Sequence, residues 1–176
     1  MKYVAFLRGI NVGKHRRITM AEVKQAFENA GYENVATYVA SGNVIFDAAE
    51  TDQMVLTAAV ETQLEAALGY RVDVILRSAE EIGGLVTANP FAGVETGDQT
   101  RLNVTFIGGE KHSSWETATE AKGFRILRTS GGAVFSVLDL RETGTRDVMA
   151  VMEKAFGKKI TTRSWNVIQE INSRYL

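Results

Sequence analysis

The chain has 176 residues, a formal net charge of -1, 45% apolar residues and no cysteine. A chain of this length buries roughly 70% of its unfolded surface, so no metal or disulfide staple is needed. The charge balance argues against a bulk nucleic-acid coat, and the missing thiols exclude disulfides, thiolate zinc sites and thiol catalysis.

In chain order, "MKYVAFLRG" opens directly on a strand, Tyr3 to Leu7, apolar on both faces. No secretory h-region with a cleavage site and no apolar run of about 18 residues occurs, which predicts a soluble cytoplasmic protein without membrane contact. A helix follows from the capping box "TMAE" at Thr19 to Glu22, with Met20, Val23, Phe27 and Ala30 on one face and Gly31 as its stop. Strands at Val35 to Ala40 and Val44 to Phe46 flank "SGN", read as a tight hairpin turn. Asp52 caps a second helix carrying Leu56, Val60 and Leu64, Gly69 closes it, and a strand runs from Arg71 to Leu76. The order β-α-β-β-α-β is that of a ferredoxin-like plait.

The second half repeats it. A strand at Leu102 to Ile107 leads to a helix with the capping box "SSWE" (Ser113, Glu116), ending at Gly123. A hairpin at Phe124 to Leu127 and Val134 to Leu138 turns on "SGG". A helix with Val148, Val151, Met152 and Phe156 inward precedes a strand at Ile160 to Arg163. "VAFLRG" matches "VTFIGG", "SG" at 41–42 matches "SG" at 130–131, and Arg77-Ser78 matches Arg163-Ser164, which points to internal duplication. Each plait is trailed by a helix, from Ser78 to the stop at Asn89-Pro90 and from Ser164 onward. The fold expected is therefore α+β, two ferredoxin-like subdomains with antiparallel sheets. The boundaries are 1–90, a linker at 91–100, and 101–176.

"LRGINVGKHRR", residues 7–17, holds four cations, Arg8, Lys14, Arg16 and Arg17, without one acid. Plait topology sets this loop beside the "SGN" hairpin, at the edge where the next strand also begins. Glycine and asparagine adopt positive φ readily, so the loop can turn amides inward as an anion nest, near the N-terminus of the first helix. The candidate ligand-binding set is Arg8, Gly9, Asn11, Gly13, Lys14, Ser41, Gly42 and Asn43. Strand alternation puts Arg8 on the face of Val4 and Phe6, where pairing with an acid is the competing reading. "GINVGK" is not a Walker A loop, because three residues separate its glycines and His15 stands where Ser or Thr would hold magnesium. His15 and His112 lack any spaced carboxylate partner, so no metal site is expected, nor any cofactor.

"LRGINVG", "SGNVIF", "NPF" and "TTRSWN" together resemble a bacterial family of uncharacterised proteins, domain of unknown function 1697. The resemblance spans nearly the whole chain and implies a pair of ferredoxin-like subdomains, with no activity and no catalytic residue attached. Its motifs fall on the loop set above, Lys14 excepted, and on a possible second motif: Asn89, Phe91, Thr162, Arg163, Trp165 and Asn166. The family's usual "TTRNW" is departed from at Ser164, an equally good helix cap. Asn89-Pro90-Phe91 reads most simply as a helix stop with a buried ring, and Trp165 as a core anchor.

Whether the protein is an enzyme, its catalytic residues and its oligomeric state are not legible in the sequence. The favoured function is a corner that binds a small phosphate or carboxylate metabolite. The alternatives are nucleic-acid backbone binding through residues 8–17, and a protein-interaction module without chemistry. RNA-binding plaits stack bases on strand aromatics, and Val44, Ile45 and Phe46 do not provide that pattern.

Overall fold

A computed structural model describes residues 1–11, 17–109, 123–143 and 148–176. The "SSWE" helix, Gly13, Lys14 and both histidines lie outside the described residues. The chain divides into two compact units, Met1–Ile82 with Tyr175–Leu176, and Gly83–Arg174.

The first unit contains β1 (Lys2–Arg8), α1 (Met20–Asn29), β2 (Glu33–Tyr38), β3 (Asn43–Asp47), α2 (Gln53–Leu68) and β4 (Asp73–Ser78), and α3 (Ala79–Ala88) begins in it. Its antiparallel sheet has the order β2-β3-β1-β4. The capping box forms as expected: Thr19 Oγ1 accepts the Glu22 amide at 3.2 Å, and the Glu22 carboxylate accepts the Thr19 amide at 2.8 Å. Tyr3, Ala5, Leu7, Val44, Phe46, Val74 and Leu76 form the sheet side of one core, filled from the helices by Val23, Phe27, Leu56, Val60 and Leu64. The alternate residues Val4, Phe6, Ile45 and Ile75 are also buried. An apolar run without polar alternation is what a strand buried on both faces requires.

The second unit contains β5 (Thr100–Ile107), β6 (Phe124–Ser130), β7 (Ala133–Asp139), α4 (Leu140–Thr143), α5 (Val148–Phe156), β8 (Ile160–Ser164) and most of α6 (Trp165–Tyr175). Its sheet order, β6-β7-β5-β8, repeats that of the first. The architecture is thus α+β, with two similar four-stranded antiparallel sheets. Val4 faces Arg77 across β1 and β4, and Val104 faces Arg163 across β5 and β8. Leu7 donates its amide to Gly42 O at 2.8 Å, and Ile107 donates to Gly132 O at 2.9 Å. The "VAFLRG" and "VTFIGG" words therefore superpose residue for residue.

Four sequence expectations need correction. Gly42 corresponds to Gly132, so the two "SG" words are one residue out of register. The first hairpin is not a tight turn: Tyr38 pairs with Asn43, leaving a four-residue loop at 39–42, and β2 ends before Val39. Apolar Val39 and Ala40 look like strand in the sequence, but Val39 sits at φ 51°, outside any strand conformation. Arg71 and Val72 precede β4 rather than opening it, and the strand extends to Ser78. The mixed charges of "DLRETGTRD", residues 139–147, read as a solvated loop, but the stretch contains the short helix α4.

Candidate functional site

The end of β1, the loop that follows it, the 39–42 loop and the start of β4 meet at one sheet edge. Gly42 is wedged there. A Cβ on it would lie 2.9 Å from both Leu7 Cβ and Ile10 Cγ2, and its φ is 82°. The hairpin therefore does lie against the loop after β1. Gly9 (φ 69°) and Asn11 (φ 60°) turn that loop through the left-handed region. Asn11 then closes its mouth: Nδ2 donates to Ile18 O at 2.8 Å, and Oδ1 accepts the Ile18 amide at 2.6 Å. Asn43 is buried, with Nδ2 donating to Tyr38 O at 2.8 Å and to Ser41 Oγ at 3.1 Å. Both asparagines thus shape the corner with their side-chain amides. Gly13 and Lys14 lie outside the described residues.

Arg8 lies on the face of Val4 and Phe6, opposite α1 and α2, and its side chain is 32% exposed. Its Nη1 stands 3.5 Å from Asp73 Oδ2, while Arg71 Nε approaches Asp73 Oδ1 at 3.4 Å. The trio carries a formal charge of +1. Arg71 and Asp73 are additions that the sequence reading lacked. Residues 65 apart meet only because β1 and β4 pair with Arg8 opposite Asp73. At the N-terminus of α1 the capping box brings the Glu22 carboxylate onto the Thr19 amide at 2.8 Å, placing a negative charge at the helix's positive end.

The second motif separates into structural parts. Asn89 ends α3 in the left-handed region at φ 42°, and Pro90 cannot continue the helix. Phe91 turns inward, with its ring 5.4 Å from Trp165 and 5.8 Å from Phe135, edge-on to the latter. Trp165 is 3% exposed, as a core anchor should be. Arg163 is buried, and donates from Nη1 to Thr161 Oγ1 at 2.8 Å and to Thr162 O at 2.9 Å. Burial pulls its guanidinium down to about 10. Arg77, at the matching position, is also lowered by burial, which Glu81 opposes. Thr162 Oγ1 lies 2.7 Å from Thr105 Oγ1, and Asn166 is exposed. Among the described residues no group of three His, Asp or Glu is arranged to hold a metal ion. No helix among them is long and apolar enough to cross a membrane.

The family model for proteins of unknown function, DUF1697, matches residues 1–135. The chain belongs to the DUF1697 family. Among solved structures, it is similar to the conserved bacterial protein SP0830 from Streptococcus pneumoniae. Identity is 21%, coverage 98% of this chain and 97% of that one, and the TM-score 0.75. That likeness carries the α+β fold. No curated protein matches the chain. In this DUF1697 protein the "LRGIN" and "SGN" words build one corner of the first sheet, whereas Phe91 of "NPF" and Thr161, Arg163 and Trp165 of "TTRSW" are buried in the second unit.

Proposed function

We propose that the β1 corner binds a small phosphate- or carboxylate-bearing metabolite in the cytosol. The observation that carries this reading is the convergence of Arg8 and Arg71 on the single carboxylate of Asp73. Partly exposed ion pairs of this kind are worth about 0–1 kcal/mol, so Asp73 competes only weakly with an incoming anion. Arg8 then offers a fork suited to a phosphate or carboxylate, and Arg71 adds charge.

The internal repeat supports the same reading. At the matching corner of the second sheet, Ser130 pairs with Ala133 across a two-residue turn of Gly131 and Gly132, both at positive φ. That is the plain solution for a hairpin. The first corner instead spends a four-residue loop, a β-branched Val39 at φ 51° and a buried, bonded Asn43. Such strain costs of order 1–3 kcal/mol per residue and gathers where a site is being shaped.

Thermal shift with inorganic phosphate, a sugar phosphate and succinate tests the proposal. Binding to the folded state alone raises the melting temperature with ligand concentration. Arg8→Ala should fold and lose the shift, whereas Asp73→Asn, which removes the competing carboxylate, should enlarge it. No shift of the wild type by any of the three at millimolar concentration would reduce the corner to a structural loop.

A further inference from the structure

The two edges of the first sheet are finished differently. The order β2-β3-β1-β4 leaves β2 and β4 each with one side off the ladder. Leu7 donates its amide to Gly42 O, and Ala48 donates to Met1 O at 2.9 Å. The odd residues of β1 therefore bond to β3 and the even ones to β4. On β4 this turns backbone groups of Val74, Leu76 and Ser78 outward, and a side chain holds one group at each. The Val74 amide donates to Glu61 Oε1 at 2.9 Å, the Leu76 carbonyl accepts Arg77 Nη1 at 2.6 Å, and the Ser78 amide donates to Glu81 Oε2 at 2.9 Å. The second sheet repeats the device on β8, where Arg163 Nη1 donates to Thr162 O.

The β2 edge has no such closure. By the same alternation Ala36 and Tyr38 bond to β3, opposite Ile45 and Asn43, while Val35 and Thr37 direct N–H and C=O outward. The Val35 side chain is in the core, so what it presents at the edge is backbone. No side chain among the described residues covers these groups. A bulge with Asn34 at φ 50° ends the regular stretch on one side, and Val39 at φ 51° ends it on the other. An edge without lysine, proline or a covering side chain is a template for another strand.

We propose that β2 is the surface through which two copies of the chain associate, joining their first sheets into one continuous antiparallel sheet. The pattern selects a second copy because it is its own complement. A twofold axis at Ala36 sets Val35 against the partner's Thr37, and Thr37 against the partner's Val35. Both are outward-facing positions, so each pair exchanges two hydrogen bonds and every outward group is satisfied. Ala36 meets itself at the axis, where Cα atoms come within about 4.5 Å and a small side chain is needed. The flanking pairs join β-branched Val and Thr, which suit cross-strand contact. Glu33, the one charged residue of β2, falls toward the partner's Val39, so like charges do not meet. With only residues 35–38 open and regular, the contact is a weak one.

Sedimentation of the full chain between about 10 µM and about 1 mM should show a monomer passing to a dimer. Hydrogen exchange at the Val35 and Thr37 amides should slow as concentration rises, while Ala36 and Tyr38 stay slow throughout. Thr37→Pro removes an outward amide that makes no bond among the described residues, so the variant should fold and remain monomeric. Ala36→Lys sets two ammonium groups face to face at the axis and should also abolish the dimer, which keeps the test independent of how one variant folds. A wild type still monomeric at about 1 mM, a dimer that survives both substitutions, or exchange at the two amides that is unchanged by concentration would each overturn the proposal.

Discussion

Gly42→Ala tests the corner most directly. The new Cβ would meet Leu7 Cβ and Ile10 Cγ2 at 2.9 Å, closer than real Cβ contacts come. Leu7 Cβ belongs to a paired strand and cannot swing away. Moving an L-residue to positive φ costs roughly 1–2 kcal/mol, and overpacking a filled site about 1–3 kcal/mol more. The expected loss is thus about 2–5 kcal/mol. Gly9→Ala is the control: φ is 69° but nothing lies within 4 Å of the added carbon, so only the backbone part, about 1–2 kcal/mol, applies. Urea unfolding monitored by circular dichroism gives both differences on one scale, provided the slope with denaturant is unchanged. If Gly42→Ala costs no more than Gly9→Ala, the hairpin does not press on Leu7 and Ile10, and the packed corner is refuted.

Asn11→Ala should lose about 1–3 kcal/mol, because Ile18 N–H and C=O both lose their partner, and hydrogen exchange at the Ile18 amide should accelerate. Val39→Asn should stabilise by about 1 kcal/mol in urea unfolding, since asparagine tolerates the left-handed region that a β-branched residue resists. Phe91→Ala should cost about 3–5 kcal/mol and red-shift Trp165 emission in a Trp115→Phe background, because the ring packs 5.4 Å from the indole. Hydrogen bonds from the Arg141 side chain and backbone hold the Asp139 carboxyl below its ordinary range. A depressed folded-state carboxyl contributes stability above the unfolded value and loses it as pH falls through the folded one. Arg141→Ala should therefore raise the Asp139 titration toward 3.8 in a carbon-detected carboxyl experiment.

Local chemistry was legible wherever a residue acts on its own neighbours. The Thr19–Glu22 box, the Asp52 cap, the stop at Asn89-Pro90 and the alternation that sets Arg8 on the face of Val4 all follow from residues a few positions apart. Their order yields two plaits, and Trp165 reads correctly as core. What failed, or stayed invisible, depends on partners far along the chain. Val39 and Ala40 have strand-like side chains, but Gly42 seated on Leu7 and Ile10 forces the longer loop. Arg8 could be placed on a face, yet its partner Asp73 and its neighbour Arg71 arrive only through the β1–β4 ladder. Val35 and Thr37 read as ordinary strand residues. Only strand register leaves their backbone groups off the ladder, because the bonds between β1 and β3, far apart in the chain, decide which residues of β2 face outward.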